Sequence, residues 1–181
     1  MKTLPVYLVT GFLGSGKSTL LARLIGSGPF PRETSALIIN SAGPLPLTPA
    51  ALQGAAGRVA ALAGGCACCA SPWALISQLR QYAADPGLAR VWIEASGAAN
   101  PGELRALLRL QNWLALRRVT YVLDATRPAH GWEHQARHAE VLFINRAAQI
   151  PPAALAGLRQ GWRADGDVCL DCAAVAAALA R

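Results

Sequence analysis

Long hydrophobic runs are missing from this sequence of 181 residues. No apolar stretch reaches the ~20 residues that a helix needs to span a bilayer, and Gly11 and Gly14 interrupt the apolar run near the N-terminus. No small-residue cleavage site follows a clean hydrophobic segment, which argues against a secretory signal peptide. We therefore expect a cytoplasmic protein with no membrane partner.

Charged residues are also scarce, at 15% of the chain against 53% hydrophobic residues, and this balance excludes a disordered chain. The formal net charge is +7. The arginines are scattered rather than interleaved with aromatic residues, which argues against a nucleic-acid partner. A positive surface suits an anionic ligand such as a nucleotide, but we favour a solvated positive face as its explanation.

Apolar runs alternate with segments of helical spacing. Strands are predicted at residues 4–10, 36–40, 90–94, 119–124, 141–145 and 168–170, and helices at 17–25, 71–84, 101–110, 130–139, 151–160 and 173–180. Residues 41–65 are rich in Gly, Pro and Ala, and we expect a loop and a weak helix there. The pattern predicts one α/β domain over residues 1–181, with a mostly parallel twisted sheet covered by helices on both faces.

Residues 11–19 read Gly-Phe-Leu-Gly-Ser-Gly-Lys-Ser-Thr and fit the phosphate-binding loop G-x-x-x-x-G-K-[ST] in full. The glycines let successive N–H groups point at phosphate oxygens, and the following helix adds its positive end. Lys17 is placed for the β- and γ-phosphates, Ser18 for Mg²⁺, and Thr19 for the α-phosphate. The predicted nucleotide contacts in this P-loop are Gly11, Gly14, Ser15, Gly16, Lys17, Ser18 and Thr19.

A Mg²⁺–nucleotide site also needs a carboxylate at the end of a neighbouring strand. Glu94 ends the predicted strand 90–94, and the N–H of Gly97 is placed to sense a γ-phosphate, so residues 94–101 form a candidate switch segment. Asp124, which ends the strand 119–124, is the competing carboxylate.

Five cysteines in a reducing compartment are thiols or metal ligands rather than disulfides. Cys66, Cys68 and Cys69 follow two glycines and favour Zn²⁺ or another soft metal, although buried cysteines also act as small apolar residues. Cys169 and Cys172 are better explained by packing. The histidines recur every fourth residue, at His130, His134 and His138; we favour a solvated or packed face over a second metal site.

Together these motifs resemble the CobW-type metal-linked GTPases, relatives of the UreG and HypB nickel chaperones. The resemblance rests on the P-loop, on residues 65–69, and on residues 94–101, which are similar to the family's Glu-Thr-Thr-Gly-x-Ala-Asp-Pro. It implies GTP hydrolysis coupled to delivery of zinc, cobalt or a similar metal to a client protein. It also implies Lys17 and Ser18 as nucleotide and Mg²⁺ contacts, Glu94 with Gly97 as the γ-phosphate-sensing segment, and Cys66, Cys68 and Cys69 as metal ligands. From the chemistry of the site we expect Lys17 and Glu94 to be the catalytic residues and Glu94 to hold Mg²⁺ together with Ser18.

The sequence departs from the family in three places. Residues 145–148 read Asn-Arg-Ala-Ala where the family reads guanine with Asn-Lys-x-Asp, so Asn145 remains but the guanine-binding carboxylate is absent. Hydrogen bonds to charged groups are worth about 1.5–3 kcal/mol, so preference for GTP over ATP should fall. The acid that usually follows the strand asparagine is missing after Asn40, and we expect the family's C-terminal domain to be absent.

Three functions follow as alternatives. The first is Mg²⁺-dependent hydrolysis of GTP coupled to metal delivery, and the second is a non-catalytic nucleotide- and metal-sensing protein that accepts ATP or GTP. The third is a P-loop kinase, which needs an acceptor pocket and catalytic arginines; Arg127, Arg137 and Arg146 are its candidates. A homodimer is compatible with each of them.

Overall fold

A computed structural model of the chain describes residues 3–26, 29–40, 54–62, 72–162 and 166–181. Within these ranges, seven strands form one sheet in the order β3-β2-β4-β1-β5-β6-β7, and every neighbouring pair is parallel. The strands are β1 (Leu4–Thr10), β2 (Ser35–Asn40), β3 (Arg58–Leu62), β4 (Arg90–Glu94), β5 (Leu114–Asp124), β6 (Val141–Asn145) and β7 (Asp167–Cys169). The predicted α/β fold is confirmed.

Six α-helices lie within the described ranges, and a 3₁₀ turn (Ala147–Gln149) follows β6. They are α1 (Lys17–Leu24), α2 (Pro72–Ala83), α3 (Pro101–Arg109), α4 (Trp132–Ala136), α5 (Pro152–Gln160) and α6 (Cys172–Ala180). None of the described helices is long and apolar enough to cross a membrane.

The helices pack on opposite faces of the sheet and form one apolar core on each face. Buried leucines of α1 and Val175 of α6 pack on one face of the sheet. Leu75 of α2, Leu104 of α3 and Trp132 of α4 pack on the other face, together with partly buried residues of α5. Because both faces are covered, the strands carry nearly continuous apolar runs, as parallel sheets require.

The centre of the sheet positions the site. β1 lies between β4 and β5, and the chain leaves it towards β2 on one side before crossing to β5 on the other. Ligands of open α/β sheets bind at the carboxyl ends of the strands, where the strand order reverses. The ends of β1 and β4 therefore bring the P-loop and Glu94 to the same edge.

One strand was not predicted. We expected a loop and a weak helix within residues 41–65, and Arg58–Leu62 in that segment is a strand that pairs in parallel with β2. Residues 41–53 and 63–65 lie outside the described residues, so the weak helix itself stays a prediction. The sequence of the strand is Arg-Val-Ala-Ala-Leu, and alanine favours helix in isolation. Backbone pairing with β2 at the edge of the sheet overrides that preference, as tertiary context often does.

The helix predicted over residues 130–139 is much shorter. α4 covers only Trp132–Ala136, and Gly131 before it has a φ of 73°. Only His134 lies in the helix, so the three histidines do not share a helical face. No group of three or more His, Cys, Asp or Glu side chains able to hold a metal occurs within the residues that the structure describes.

Candidate functional site

The P-loop connects the end of β1 to the first turn of α1 and depends on glycine geometry. Gly11, Gly14 and Gly16 have φ values of 136°, 78° and 102°, a region that L side chains rarely adopt. A Cβ atom at Gly16 would overlap the amide of Asn145. Any other residue at these positions would therefore strain the backbone of the loop.

Lys17 closes the loop and is almost completely buried, with 6% exposure. Its Nζ donates to the carbonyl oxygens of Gly11 (2.9 Å) and Phe12 (3.0 Å). Burial lowers the pKa of Lys17 from its usual value, and the charge of Glu94 opposes that change. The ammonium group is thus held at the loop by main-chain oxygens and a neighbouring carboxylate.

Ser18 and Glu94 meet across the gap between α1 and β4. Ser18 Oγ donates to Glu94 Oε1 at 2.7 Å. Glu94 is 6% exposed, and its second oxygen, Oε2, is buried without a hydrogen-bond partner among the described residues. Burial raises the pKa of Glu94 above its usual value, while the Ser18 hydrogen bond and the Lys17 charge act in the opposite direction.

These two side chains fit a Mg²⁺ ion that accompanies a nucleotide. Mg²⁺ prefers oxygen ligands and is usually held by one or two protein groups together with phosphate oxygens and water. A hydroxyl and a carboxylate lie within hydrogen-bond distance of each other here, and one carboxylate oxygen has no other described partner. The donor set therefore matches the ion that the motif implies.

Gly97 lies directly against the P-loop. A Cβ atom at this position would lie 2.5 Å from the Leu13 nitrogen, so only glycine permits this approach. Asn100 caps α3 by accepting hydrogen bonds from the N–H groups of Gly102 (3.0 Å) and Glu103 (3.4 Å). The segment 94–101 thus runs from the carboxylate, past the loop, to a fixed helix start.

Asn145 ends β6 and fixes the P-loop from the other side. Its Nδ2 donates to the Ser15 carbonyl oxygen at 2.9 Å, and its Oδ1 accepts from the Arg146 N–H at 3.0 Å. Arg146 has a φ of 59° and forms an ion pair with Asp124. Ala148 lies in the 3₁₀ turn and offers no carboxylate.

Asp124 is occupied by other partners. Its Oδ1 accepts from the Thr126 N–H (3.0 Å) and the Thr126 hydroxyl (2.7 Å), while Oδ2 pairs with Arg146. Of the two candidate carboxylates, only Glu94 bonds Ser18.

A cavity of about 410 Å³ opens over these groups. Its walls combine the P-loop, the end of β2, the segment after β4 and Arg146; they are Leu13, Gly14, Gly16, Lys17, Ser18, Thr19, Asn40, Glu94, Ala95, Ser96, Gly97 and Arg146. Most of the predicted nucleotide contacts line this space. Gly11 and Ser15 belong to the loop but are not among the residues that line this cavity, and Asn145 contacts the loop through the Ser15 carbonyl.

Several predicted features fall elsewhere. Cys66, Cys68 and Cys69, and the residues that follow Asn40, lie outside the described residues. Cys169 and Cys172 are free thiols at the end of β7 and the start of α6. Cys169 is buried in the core beside α6, which agrees with a packing role.

The sequence did not predict the role of Arg146. It lines the cavity and pairs with Asp124, which is 22 residues away. Pairing of β5 with β6 sets Asp124 directly opposite Asn145, and this register brings the two charges together. The ion pair could have been predicted from a carboxylate at the end of one predicted strand and an arginine directly after the next one.

Comparisons with known proteins agree with this geometry. Residues 5–163 match the CobW/HypB/UreG nucleotide-binding domain family. The chain is 27% identical to the zinc chaperone YeiR of Escherichia coli, over 88% of this chain and 51% of that protein. It is 30% identical to the zinc chaperone CobW of Pseudomonas aeruginosa, over 88% of this chain and 54% of that protein. The chain thus spans about half the length of these curated relatives.

The fold is also similar to a crystal structure of the Zn(II)-bound YjiA GTPase from Escherichia coli. The TM-score is 0.62 at 19% sequence identity, and the match covers 94% of this chain and 58% of that one. Because the family match extends over most of the chain and includes the P-loop, Glu94 and Asn145, this protein belongs to the CobW/HypB/UreG nucleotide-binding domain family.

Proposed function

We propose that this protein binds a Mg²⁺–nucleoside triphosphate in the P-loop cavity, with GTP preferred, and hydrolyses it slowly in support of metal binding and delivery. The observation that carries this proposal is the hydrogen bond between Ser18 and Glu94 beside the buried ammonium of Lys17. Hydroxyl, carboxylate and cation are the three side-chain groups that a Mg²⁺–triphosphate needs at one place.

Each group has a part in this proposal. The P-loop N–H groups and the N-terminus of α1 bind phosphate oxygens, and Lys17 exchanges its carbonyl partners for the β- and γ-phosphates. Ser18 and Glu94 would hold a Mg²⁺ ion, which would supply charge neutralisation at the phosphates. Gly97, which packs against Leu13 of the loop, would sense the γ-phosphate through its N–H. Rate acceleration then comes mainly from positioning and charge stabilisation.

Base selection depends on Asn145. This side chain is already oriented by its bonds to Ser15 and Arg146, but Ala148 provides no acceptor for the guanine N–H groups. We therefore expect GTP to be preferred over ATP only weakly.

The metal part of the proposal rests on family membership and on the thiols. Two relatives are zinc chaperones and a structural neighbour is a Zn(II)-bound GTPase. We propose Cys66, Cys68 and Cys69 as ligands for zinc or a similar soft metal, which the protein delivers to a client in the cytoplasm, where the thiols stay reduced.

The test combines turnover and binding. Phosphate release from GTP and from ATP is measured for the wild type and for Lys17→Ala, and calorimetry gives nucleotide affinity with and without Mg²⁺. We expect slow, Mg²⁺-dependent release that Lys17→Ala abolishes. Zinc affinity, measured against a chromogenic chelator, should fall in the Cys66→Ser, Cys68→Ser and Cys69→Ser variants. Cys172→Ser, at the start of α6, is the matched control and should leave zinc affinity unchanged.

A second function is a non-catalytic sensor of nucleotide and metal that accepts either base. The pairing of Arg146 with Asp124, in place of a base-reading carboxylate at residue 148, favours relaxed base selection. Intact nucleotide binding without any Lys17-dependent phosphate release would establish this alternative and contradict slow hydrolysis.

A further inference from the structure

Ser96 is a polar residue in the wall of the P-loop cavity that the P-loop motif does not include. It lines this cavity together with Lys17 and Glu94, and 6% of its surface is exposed. In the segment 94–101, the contacts of the proposed nucleotide site are the Glu94 carboxylate and the Gly97 N–H. The Ser96 hydroxyl therefore has no function in that site.

Contacts on both sides fix the backbone at Ser96. Before it, the Ala95 N–H donates to the Val9 carbonyl oxygen of β1 at 2.9 Å. After it, Gly97 packs on the P-loop, and the Ser96 carbonyl oxygen accepts from the Ala99 N–H at 3.0 Å. Ser96 thus has a defined position in the cavity wall, so a ligand that contacts it does not have to order a loop first.

The Ser96 hydroxyl has an unused donor. Its oxygen accepts a hydrogen bond from the Ala98 N–H at 3.3 Å, so the hydroxyl hydrogen points away from that group. A serine hydroxyl offers one donor and two acceptor sites, and within the described ranges no group accepts a hydrogen bond from Ser96. Polar groups of buried side chains nearly always have a partner in folded proteins. A ligand oxygen in the cavity would be that partner.

The position of Ser96 indicates which part of a nucleotide would supply this oxygen. Ser96 follows the candidate Mg²⁺ ligand Glu94 by two residues and directly precedes Gly97. Metal ions in phosphoryl-transfer sites bridge oxygens of the β- and γ-phosphates, so a group beside Glu94 lies at that end of the phosphate chain. Thr19, the predicted α-phosphate contact, lies on α1 instead. The terminal phosphate is therefore the acceptor that fits Ser96.

We propose that the Ser96 hydroxyl donates a hydrogen bond to the terminal phosphate of a bound nucleoside triphosphate and so distinguishes triphosphate from diphosphate. This inference rests on the proposed nucleotide binding in the P-loop cavity, but not on hydrolysis. A diphosphate has no oxygen at the terminal position, so the hydroxyl adds to the affinity for triphosphate alone. The family's Glu-Thr-Thr-Gly has threonine at this position, and threonine carries the same hydroxyl.

The experiment is calorimetric titration of a non-hydrolysable GTP analogue and of GDP, each with Mg²⁺, into the wild type and Ser96→Ala. A hydrogen bond to a charged group changes affinity by about tenfold or more, so affinity for the analogue should fall by that factor in Ser96→Ala. GDP affinity should stay unchanged. Ser96→Thr keeps the hydroxyl and should retain the wild-type ratio of analogue to GDP affinity. Ser77→Ala, which removes an exposed hydroxyl on α2, is the matched control and should bind both ligands like the wild type.

An analogue affinity that Ser96→Ala leaves unchanged would overturn the proposal. An equal loss for the analogue and for GDP would overturn it too, because the hydroxyl would then support the cavity wall rather than contact the terminal phosphate. Failure of the wild type to bind either nucleotide would contradict the proposed function together with this contact. A ratio that depends on the Ser96 hydroxyl, without any phosphate release from GTP, would support the contact and contradict only the proposed hydrolysis.

Discussion

Ser18 and Glu94 are 76 residues apart in sequence and meet through one hydrogen bond. At the scale of single residues, the candidate site depends on this pair. Burial raises the pKa of Glu94 because its ionised form loses hydration, and the Ser18 hydroxyl and Lys17 ammonium recover part of that loss. A buried carboxylate with one oxygen that no described group bonds adds little to fold stability and is a suitable cation ligand.

The first prediction concerns this pair. Ser18→Ala and Glu94→Gln should each reduce the Mg²⁺-dependent gain in nucleotide affinity by about tenfold or more, since hydrogen bonds to charged groups are worth ~1.5–3 kcal/mol. Calorimetry with and without Mg²⁺ measures the gain. Glu33→Gln removes an exposed carboxylate and is the control.

The Mg²⁺-dependent gain in nucleotide affinity should decrease at low pH. Glu94 binds a proton at a higher pH than an ordinary glutamate, and a protonated carboxyl is a poor Mg²⁺ ligand. The gain should therefore fall as the pH drops, beginning above the usual glutamate pKa of 4.5. The same titration of Glu94→Gln should show no such fall; a parallel fall in that variant would contradict the assignment.

A second prediction concerns Cys169, whose pKa is raised to about 11, mainly by burial and further by Asp167 and Asp171. The thiolate is the reactive form, so alkylation of Cys169 in the native protein should be slow at pH 8 and should accelerate as the pH rises towards 11. Mass spectrometry of peptides gives its rate beside that of the more exposed Cys172. In urea the two rates should converge, and equal rates in the native protein would show that Cys169 is accessible.

Sequence patterns predicted some site residues and missed others for a physical reason. Lys17 and Ser18 belong to one continuous motif, and Glu94 follows an apolar strand, so local patterns are sufficient for them. The Arg146–Asp124 ion pair depends on the register between β5 and β6. No local pattern records that register.

At the scale of elements, local sequence likewise predicted some strands correctly and missed one whose formation depends on its neighbour. β1, β4 and β6 have the bounds expected from their apolar runs because they lie inside the sheet, where burial on both faces determines composition. β3 lies at the edge, and each of its five residues is exposed or only partly buried. An edge strand needs few apolar residues because it buries little surface. The alanines of β3 therefore predict a helix from local propensity alone, and only pairing with β2 makes this segment a strand.

The third prediction tests how the segment after β4 packs on the P-loop. Gly97→Ala places a Cβ atom 2.5 Å from the Leu13 nitrogen, so the loop must shift and the phosphate-binding N–H groups move with it. We expect nucleotide affinity to fall about tenfold or more, because recognition by positioned N–H groups depends on their geometry. Calorimetric titration with GTP measures the change.

Gly157→Ala is the control for this substitution. Gly157 lies in α5, and nothing stands within 4 Å of a Cβ atom there. Alanine should stabilise this helix by up to about 1 kcal/mol, visible as a higher urea midpoint, with nucleotide affinity unchanged. Retained affinity in Gly97→Ala would show that the loop tolerates displacement at Leu13.

At the scale of the whole molecule, the parallel sheet brings the candidate switch segments to one edge. Asn40 ends β2 and Glu94 ends β4, the two strands are neighbours, and both residues line the P-loop cavity of about 410 Å³. The cysteines at positions 66–69 lie between these two strands in sequence. The proposed hydrolysis would rearrange these strand ends, and the chain between them carries the thiols, 26 residues after Asn40 and 25 residues before Glu94.

This arrangement leads to the last prediction, which is reciprocal coupling between nucleotide and zinc. Zinc affinity should differ between the protein bound to a non-hydrolysable GTP analogue and the protein bound to GDP, by a factor of about 5–150 if the coupling is typical. Linkage then requires zinc to change the ratio of analogue to GDP affinity by the same factor. Chelator competition and calorimetry measure the two sides independently. Lys17→Ala should remove both effects while leaving zinc affinity in the absence of nucleotide intact. Equal zinc affinities in the two nucleotide states would separate the thiols from the P-loop and leave two independent sites on one fold.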